Sequence, residues 1–222
     1  MRIRVDTTHS VAGLLAAPPN PVACLVLAHG AGAGMEHPFM AAVADGLCQR
    51  QVACLRFQFP YMEAGTRRPD RPPLAQATVR AAVASARELL PLVPLFAGGK
   101  SFGGRMAAKA QAEAPLPGVQ GLVFFGFPLH PAGKPASDRA AHLALIQMPM
   151  LFLQGTRDAL AEMPRLAQVI AGLGERATLV QADEADHSFH VPARSGQTDA
   201  NVLRELLDCT ARWMQRMSAR VT

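Results

Sequence analysis

Short, unbroken apolar runs alternate with longer helix-forming stretches along this chain. Cys24-Leu-Val-Leu-Ala28, Val93 to Ala97 and Met150-Leu-Phe-Leu-Gln154 are too short for buried helices and read as strands covered on both faces. The opening Met1-Arg-Ile-Arg-Val5-Asp6 alternates residue by residue, as a half-buried strand does. Between the runs lie helix-forming segments such as Arg105 to Ala112. The pattern predicts strands near 2–6, 10–16, 22–28, 52–57, 93–98, 119–125, 149–154 and 177–182. Helices are expected near 37–50, 74–90, 103–113, 137–145, 160–173 and 199–217. Such alternation implies an α/β fold, a mostly parallel central sheet with helices on both faces, in one domain spanning 1–222. No repeat, low-complexity tract or linker interrupts it.

Chemistry enters at Gly99-Lys100-Ser101-Phe102-Gly103, a G-x-S-x-G pentapeptide between an apolar run and a helix-forming run. On so tight a strand-to-helix turn, small flanking residues are needed to leave room for the packed backbone, and the serine Oγ is held out at the carboxyl edge of the sheet. Gly99-Lys100-Ser101 also suggests a phosphate-binding loop, but the first glycine of that motif would fall on Pro94. A serine nucleophile requires an acid and a histidine, and both follow. Asp158 lies in the turn after the strand ending at Gln154, and His187 lies in the loop Ala185-Asp186-His187-Ser188-Phe189 before the last helix. Asp183, Glu184 and Asp186 are nearer to His187 in sequence, yet side chains along one loop point apart, which favours Asp158. The order Ser101, Asp158, His187 is the α/β-hydrolase order.

An oxyanion-binding pair of N–H groups is the next requirement. One is expected from Phe102, after the nucleophile. The other is expected from Ala31, or alternatively Gly32, in His29-Gly30-Ala31-Gly32-Ala33-Gly34-Met35. That loop does not fit a dinucleotide fingerprint, since Met35 stands where Gly or Ala would be needed. Tyr61 and Met62, with Gly32, are candidate substrate-binding residues, and core packing is an equal reading of the nearby Phe57 and Phe59. Lys100 and Arg105 flank the serine and are read as solvent-facing or structural.

Taken together, these segments resemble the dienelactone-hydrolase-like group of small α/β-hydrolases. The resemblance rests on H-G-A-G-A-G-M at 29–35, R-F-x-F-P-Y-M at 56–62, G-G-K-S-x-G-G-R-M at 98–106 and P-L-H-P-x-G-K-P at 128–135, and it covers nearly the whole chain. It implies the α/β-hydrolase fold and a structural hydrogen bond for His29. The dienelactone hydrolases themselves carry a cysteine nucleophile, so Ser101 points instead to hydrolysis of small carboxylic esters. Thioesterase, peptidase or lipase activity, or a silent hydrolase-like interaction module, are the competing readings. Only about 20 residues with one short helix separate Phe127 from Gln147, which leaves no cap domain and an open, shallow site.

Composition narrows the remaining possibilities. A net charge of +5 is scattered, with one cluster at Arg67, Arg68 and Arg71 that reads as a solvated loop or a site for an anionic substrate group. No nucleic-acid module accompanies it. Four cysteines without metal-ligand spacing fit free thiols in a cytoplasmic protein. No apolar run is long enough to span a membrane, and the start lacks a signal-peptide core. The expected partner is a small-molecule ester, with no nucleic acid, no membrane, no metal and no organic cofactor, in a monomer or homodimer.

Overall fold

A computed structural model describes residues 1–219, so the last three positions of the expected 1–222 span lie outside the described residues. The apolar runs become eight strands: β1 (Arg2–Arg4), β2 (Ser10–Ala16), β3 (Ala23–Ala28), β4 (Val52–Phe57), β5 (Leu95–Lys100), β6 (Val119–Phe125), β7 (Met150–Gly155) and β8 (Ala177–Ala182). They form one sheet in the order β1-β2-β4-β3-β5-β6-β7-β8. β1 pairs antiparallel with β2 and β2 antiparallel with β4, while every later pairing is parallel. The helices are α1 (Pro38–Cys48), α2 (Pro60–Glu63), α3 (Pro72–Leu89), α4 (Phe102–Glu113), α5 (Met163–Leu173) and α6 (Asp199–Ser218).

Alternation along the central strands builds two cores, one on each face of the sheet. Cys24, Val26, Ala28, Met150 and Phe152 point to the face covered by α3, α4 and α5, where they meet Val79, Val83, Met106 and Leu166. Their neighbours Leu25, Leu27, Leu151 and Leu153 point to the opposite face and meet Met40 and Leu47 of α1 and Leu206 and Trp213 of α6. Trp213 packs edge-on against Phe96 at 5.7 Å. Just past the end of α1, Arg50 Nε donates to Asp208 Oδ1 in the middle of α6 at 2.7 Å.

Three elements differ from the sequence expectation. β5 runs to Lys100, because Gly98 and Gly99 keep parallel pairing with Val123 and Phe124 although glycine has no strand preference. The expected helix at 137–145 is a 3₁₀ segment, Asp138–Leu145. Its neighbourhood buries Ala140, Leu143 and Ile146, a spacing of three that suits three residues per turn. α2 was not expected; it is a single turn started by Pro60.

Close packing, more than propensity, fixes the sheet's centre. A Cβ at Gly103 would lie 2.4 Å from the Ala28 carbonyl oxygen and 2.6 Å from that of His29, so α4 can approach β3 only through a bare backbone. Gly103→Ala should therefore destabilise the protein by about 1–3 kcal/mol in urea denaturation, the clash outweighing the ~1 kcal/mol that alanine gains in an open helix. Gly172 of α5 has nothing within 4 Å of such a Cβ, and Gly172→Ala should raise stability by a few tenths to about 1 kcal/mol.

Candidate active site

The sheet order reverses at β3, which has β4 on one side and β5 on the other, and an open parallel sheet forms its crevice at such a point beyond the strand ends. Ser101 lies there, between β5 and α4. Its backbone sits at φ 50° and ψ −111°, a region that a residue with a Cβ rarely adopts and that costs on the order of 1–3 kcal/mol. The surroundings enforce it: the Ser101 N–H donates to the Phe125 carbonyl at 3.1 Å, and the Ser101 carbonyl accepts from Arg105 N–H at 3.1 Å.

Two further loops at the same edge bring an imidazole and a carboxylate to the serine. His187 Nε2 lies 2.9 Å from Ser101 Oγ, and His187 Nδ1 lies 2.6 Å from Asp158 Oδ2. With Nδ1–H donating to the carboxylate, Nε2 is free to accept from the hydroxyl. Asp158 has a fully buried side chain. Besides His187 it accepts from Gln154 Nε2 and, at 2.8 Å, from Leu160 N–H. The loops are clipped together, with Thr156 N–H donating to Ala182 O at 3.0 Å and Arg157 N–H to Ala185 O at 2.9 Å. The competing acids are occupied elsewhere. Asp186 Oδ1 accepts from Ser188 and His190 N–H at 2.7 and 3.0 Å, and Glu184 pairs with Arg194 at 3.2 Å. Asp183 is exposed.

The loop after β3 is braced from behind by residues 56–62. Buried His29 donates from Nδ1 to the Gly30 carbonyl at 2.8 Å and accepts at Nε2 from Phe59 N–H at 3.1 Å, and burial pushes its pKa down to about 4. It is a neutral structural group. Gln58 Oε1 accepts from Met35 N–H at 2.9 Å, and the Tyr61 hydroxyl accepts from Gly32 N–H at 2.9 Å. Tyr61 is itself held by its N–H, which donates to Asp70 Oδ2 at 3.1 Å. The Gly32 donor is therefore engaged. Among the described residues, the N–H groups of Ala31 and Phe102 have no hydrogen-bond acceptor.

A cleft of about 370 Å³ opens over Ser101 and His187, with Ala31, Phe39, Met40 and Leu160 as its apolar wall and Lys100 within it. Tyr61 and Met62 lie behind the 29–35 loop and do not line this cleft, nor does Gly32. Arg67, Arg68 and Arg71 are exposed, and none of them lines it either. Of the two readings the sequence leaves for Lys100, solvent-facing or structural, the contacts favour the structural one. Its ammonium donates to the His187 carbonyl and lies 4.9 Å and 5.7 Å from the ring centres of Phe189 and Phe39. Among the described residues, no three His, Cys, Asp or Glu side chains gather as a metal site, and no helix is long and apolar enough to cross a membrane.

The fold has counterparts among known proteins. Over 97% of this chain and 95% of the other, the fold superposes on a dienelactone hydrolase from Anabaena variabilis with a TM-score of 0.77 at 21% identity. A lidless α/β serine hydrolase from Xanthomonas campestris gives 0.72 at 20% identity, covering 96% of this chain and 92% of that one. Est1E from Butyrivibrio proteoclasticus gives 0.74 at 16% identity, over 99% and 98%. No cap interrupts the chain between β6 and β7, where only the 3₁₀ segment stands. Residues 21–215 match the family described as the alpha/beta hydrolase domain, and the chain belongs to that family.

Proposed function

We propose that this protein is a serine hydrolase that cleaves small carboxylic esters through an acyl-enzyme on Ser101. The observation that carries the proposal is the unbroken hydrogen-bonded chain from Ser101 Oγ through His187 to buried Asp158, at the floor of a cleft with an apolar wall. In the first half-reaction His187 takes the Ser101 proton as Oγ attacks the ester carbonyl. Asp158 fixes the imidazole tautomer and stabilises the imidazolium. The N–H groups of Phe102 and Ala31 receive the developing oxyanion, each worth about 3 kcal/mol in comparable sites. His187 then protonates the leaving alcohol, and water repeats the sequence to release the acid. The reaction needs neither metal nor organic cofactor.

Esters are favoured as the substrate class by several features. Ser101 replaces the cysteine of the dienelactone hydrolases, the site has no cap to enclose a long chain, and a cleft of about 370 Å³ suits a small acyl group. The lidless Xanthomonas protein is a serine hydrolase, and Est1E has been captured with ferulic acid.

On p-nitrophenyl esters of graded length, acetate and butyrate should be cleaved faster than palmitate. Ser101→Ala should lower kcat by at least ~10³-fold without loss of the fold, and Asp158→Asn by a comparable factor through the wrong imidazole tautomer. Unchanged turnover in Ser101→Ala would sink the proposal. Tyr61→Phe removes the acceptor that holds Gly32 and should lower kcat roughly 2–10-fold with little change in KM, because the Ala31 donor is displaced from where the transition state needs it. A change in KM alone would instead make Tyr61 a substrate contact.

A further inference from the structure

Lys100, the residue before the serine, ends β5 with its side chain turned into the protein. Its ammonium has no carboxylate partner among the described residues; it donates to the His187 carbonyl and faces the rings of Phe189 and Phe39. A Cβ at Gly126 would come within 2.8 Å of Lys100 Nζ and 3.4 Å of the His187 ring, so the ammonium and the imidazole pass side by side over the residue that follows β6.

A largely buried ammonium is costly, and an apolar side chain of similar length would fill the space between two phenylalanines at lower cost. What the apolar residue could not supply is a charge-assisted hydrogen bond to a backbone carbonyl. We infer that Lys100 is a positioning residue for the proposed acyl transfer. Its ammonium ties the His187 carbonyl to the end of β5, so that the strand carrying Ser101 also holds the ring that accepts the Ser101 proton. The inference rests on the reading of Ser101 as nucleophile and deepens it. Phe39 and Phe189, stacked at 5.9 Å, complete the seat and bind the start of α1 to the His187 loop.

Such a tie gives the rate a second pH dependence. Burial pushes Lys100 down to about 8, against the attraction of Asp158 and Asp186. The groups around it are Asp158 from the end of β7, Asp186 and His187 from the loop after β8, and His37 at the start of α1 across the same cleft; the end of β6 contributes only Gly126. Below about 8 the ammonium is charged and the tie is strong. As pH rises through that value the charge is lost, the bond to the His187 carbonyl weakens, and the rate of acylation falls.

The test compares wild type with Lys100→Met in p-nitrophenyl acetate turnover and in the rate of Ser101 labelling by a fluorophosphonate, both followed from about pH 6 to pH 10. Lys100→Met should lower kcat and the labelling rate about 10- to 100-fold, leave KM within about two-fold, and lose the alkaline fall near pH 8 that wild type shows. A variant with wild-type rates and an unchanged alkaline fall overturns the inference while leaving Ser101 as nucleophile. A wild type that takes up no label overturns both. Should the variant not fold, wild type decides: an alkaline fall near pH 8 at constant melting temperature supports the tie, and its absence contradicts it.

Discussion

A serine backbone forced into a conformation that side chains avoid is the constraint on which the rest of this molecule depends. Ser101 can hold φ 50° and ψ −111° only because its neighbours leave it no relaxed alternative. β5 must lie so close to β6, and α4 so close to β3, that Cβ atoms at Gly98 and Gly103 would collide with backbone carbonyls. Parallel pairing on both sides of β5 and two apolar cores, one per face, supply the rigidity that keeps this turn in place. In exchange, the hydroxyl emerges at the crevice where the sheet order reverses.

Around that fixed point the polar groups are held by a second layer of contacts. Asp158 reaches His187 because the loops after β7 and β8 are clipped backbone to backbone, and its remaining capacity is taken up by Gln154 and the Leu160 N–H. His29, Gln58 and Tyr61 brace the opposite wall, occupying the Gly32 donor and leaving the Ala31 donor open. Lys100 links the end of β5 to the His187 loop through the His187 carbonyl. These groups thus hang from four strand ends, those of β3, β5, β7 and β8, with little freedom to separate, which is what positioning for acyl transfer requires.

Much of this was legible in the sequence, and the exceptions share a cause. Strands buried on both faces, β3 to β7, write themselves as largely apolar runs, while the half-buried β1 shows itself by alternation. Ser101, Asp158 and His187, each expected in a turn or loop beyond a strand, are brought within hydrogen-bond distance of one another. β5 extends past its apolar run because pairing, not side-chain preference, carries Gly98 and Gly99. The helix expected at 137–145 takes the 3₁₀ form because its spacing of buried residues is set by what it packs against. Lys100 is the clearest case: the sequence leaves it solvent-facing or structural, and the contacts with Phe39 and Phe189, remote in sequence, decide for the second. Tyr61 was read as a pocket wall and instead stands behind the loop, a distinction that depends on which way the chain folds after β4.

The central claim, that Ser101 carries the acyl group during turnover, is tested most directly by trapping it. Protein mixed with p-nitrophenyl acetate, quenched in acid within the first turnovers and digested, should yield the peptide containing Ser101 heavier by one acetyl group, with the same peptide unmodified in Ser101→Ala. Turnover in wild type accompanied by an acetyl group on a different residue, or by none at all on rapid quenching, would contradict the account.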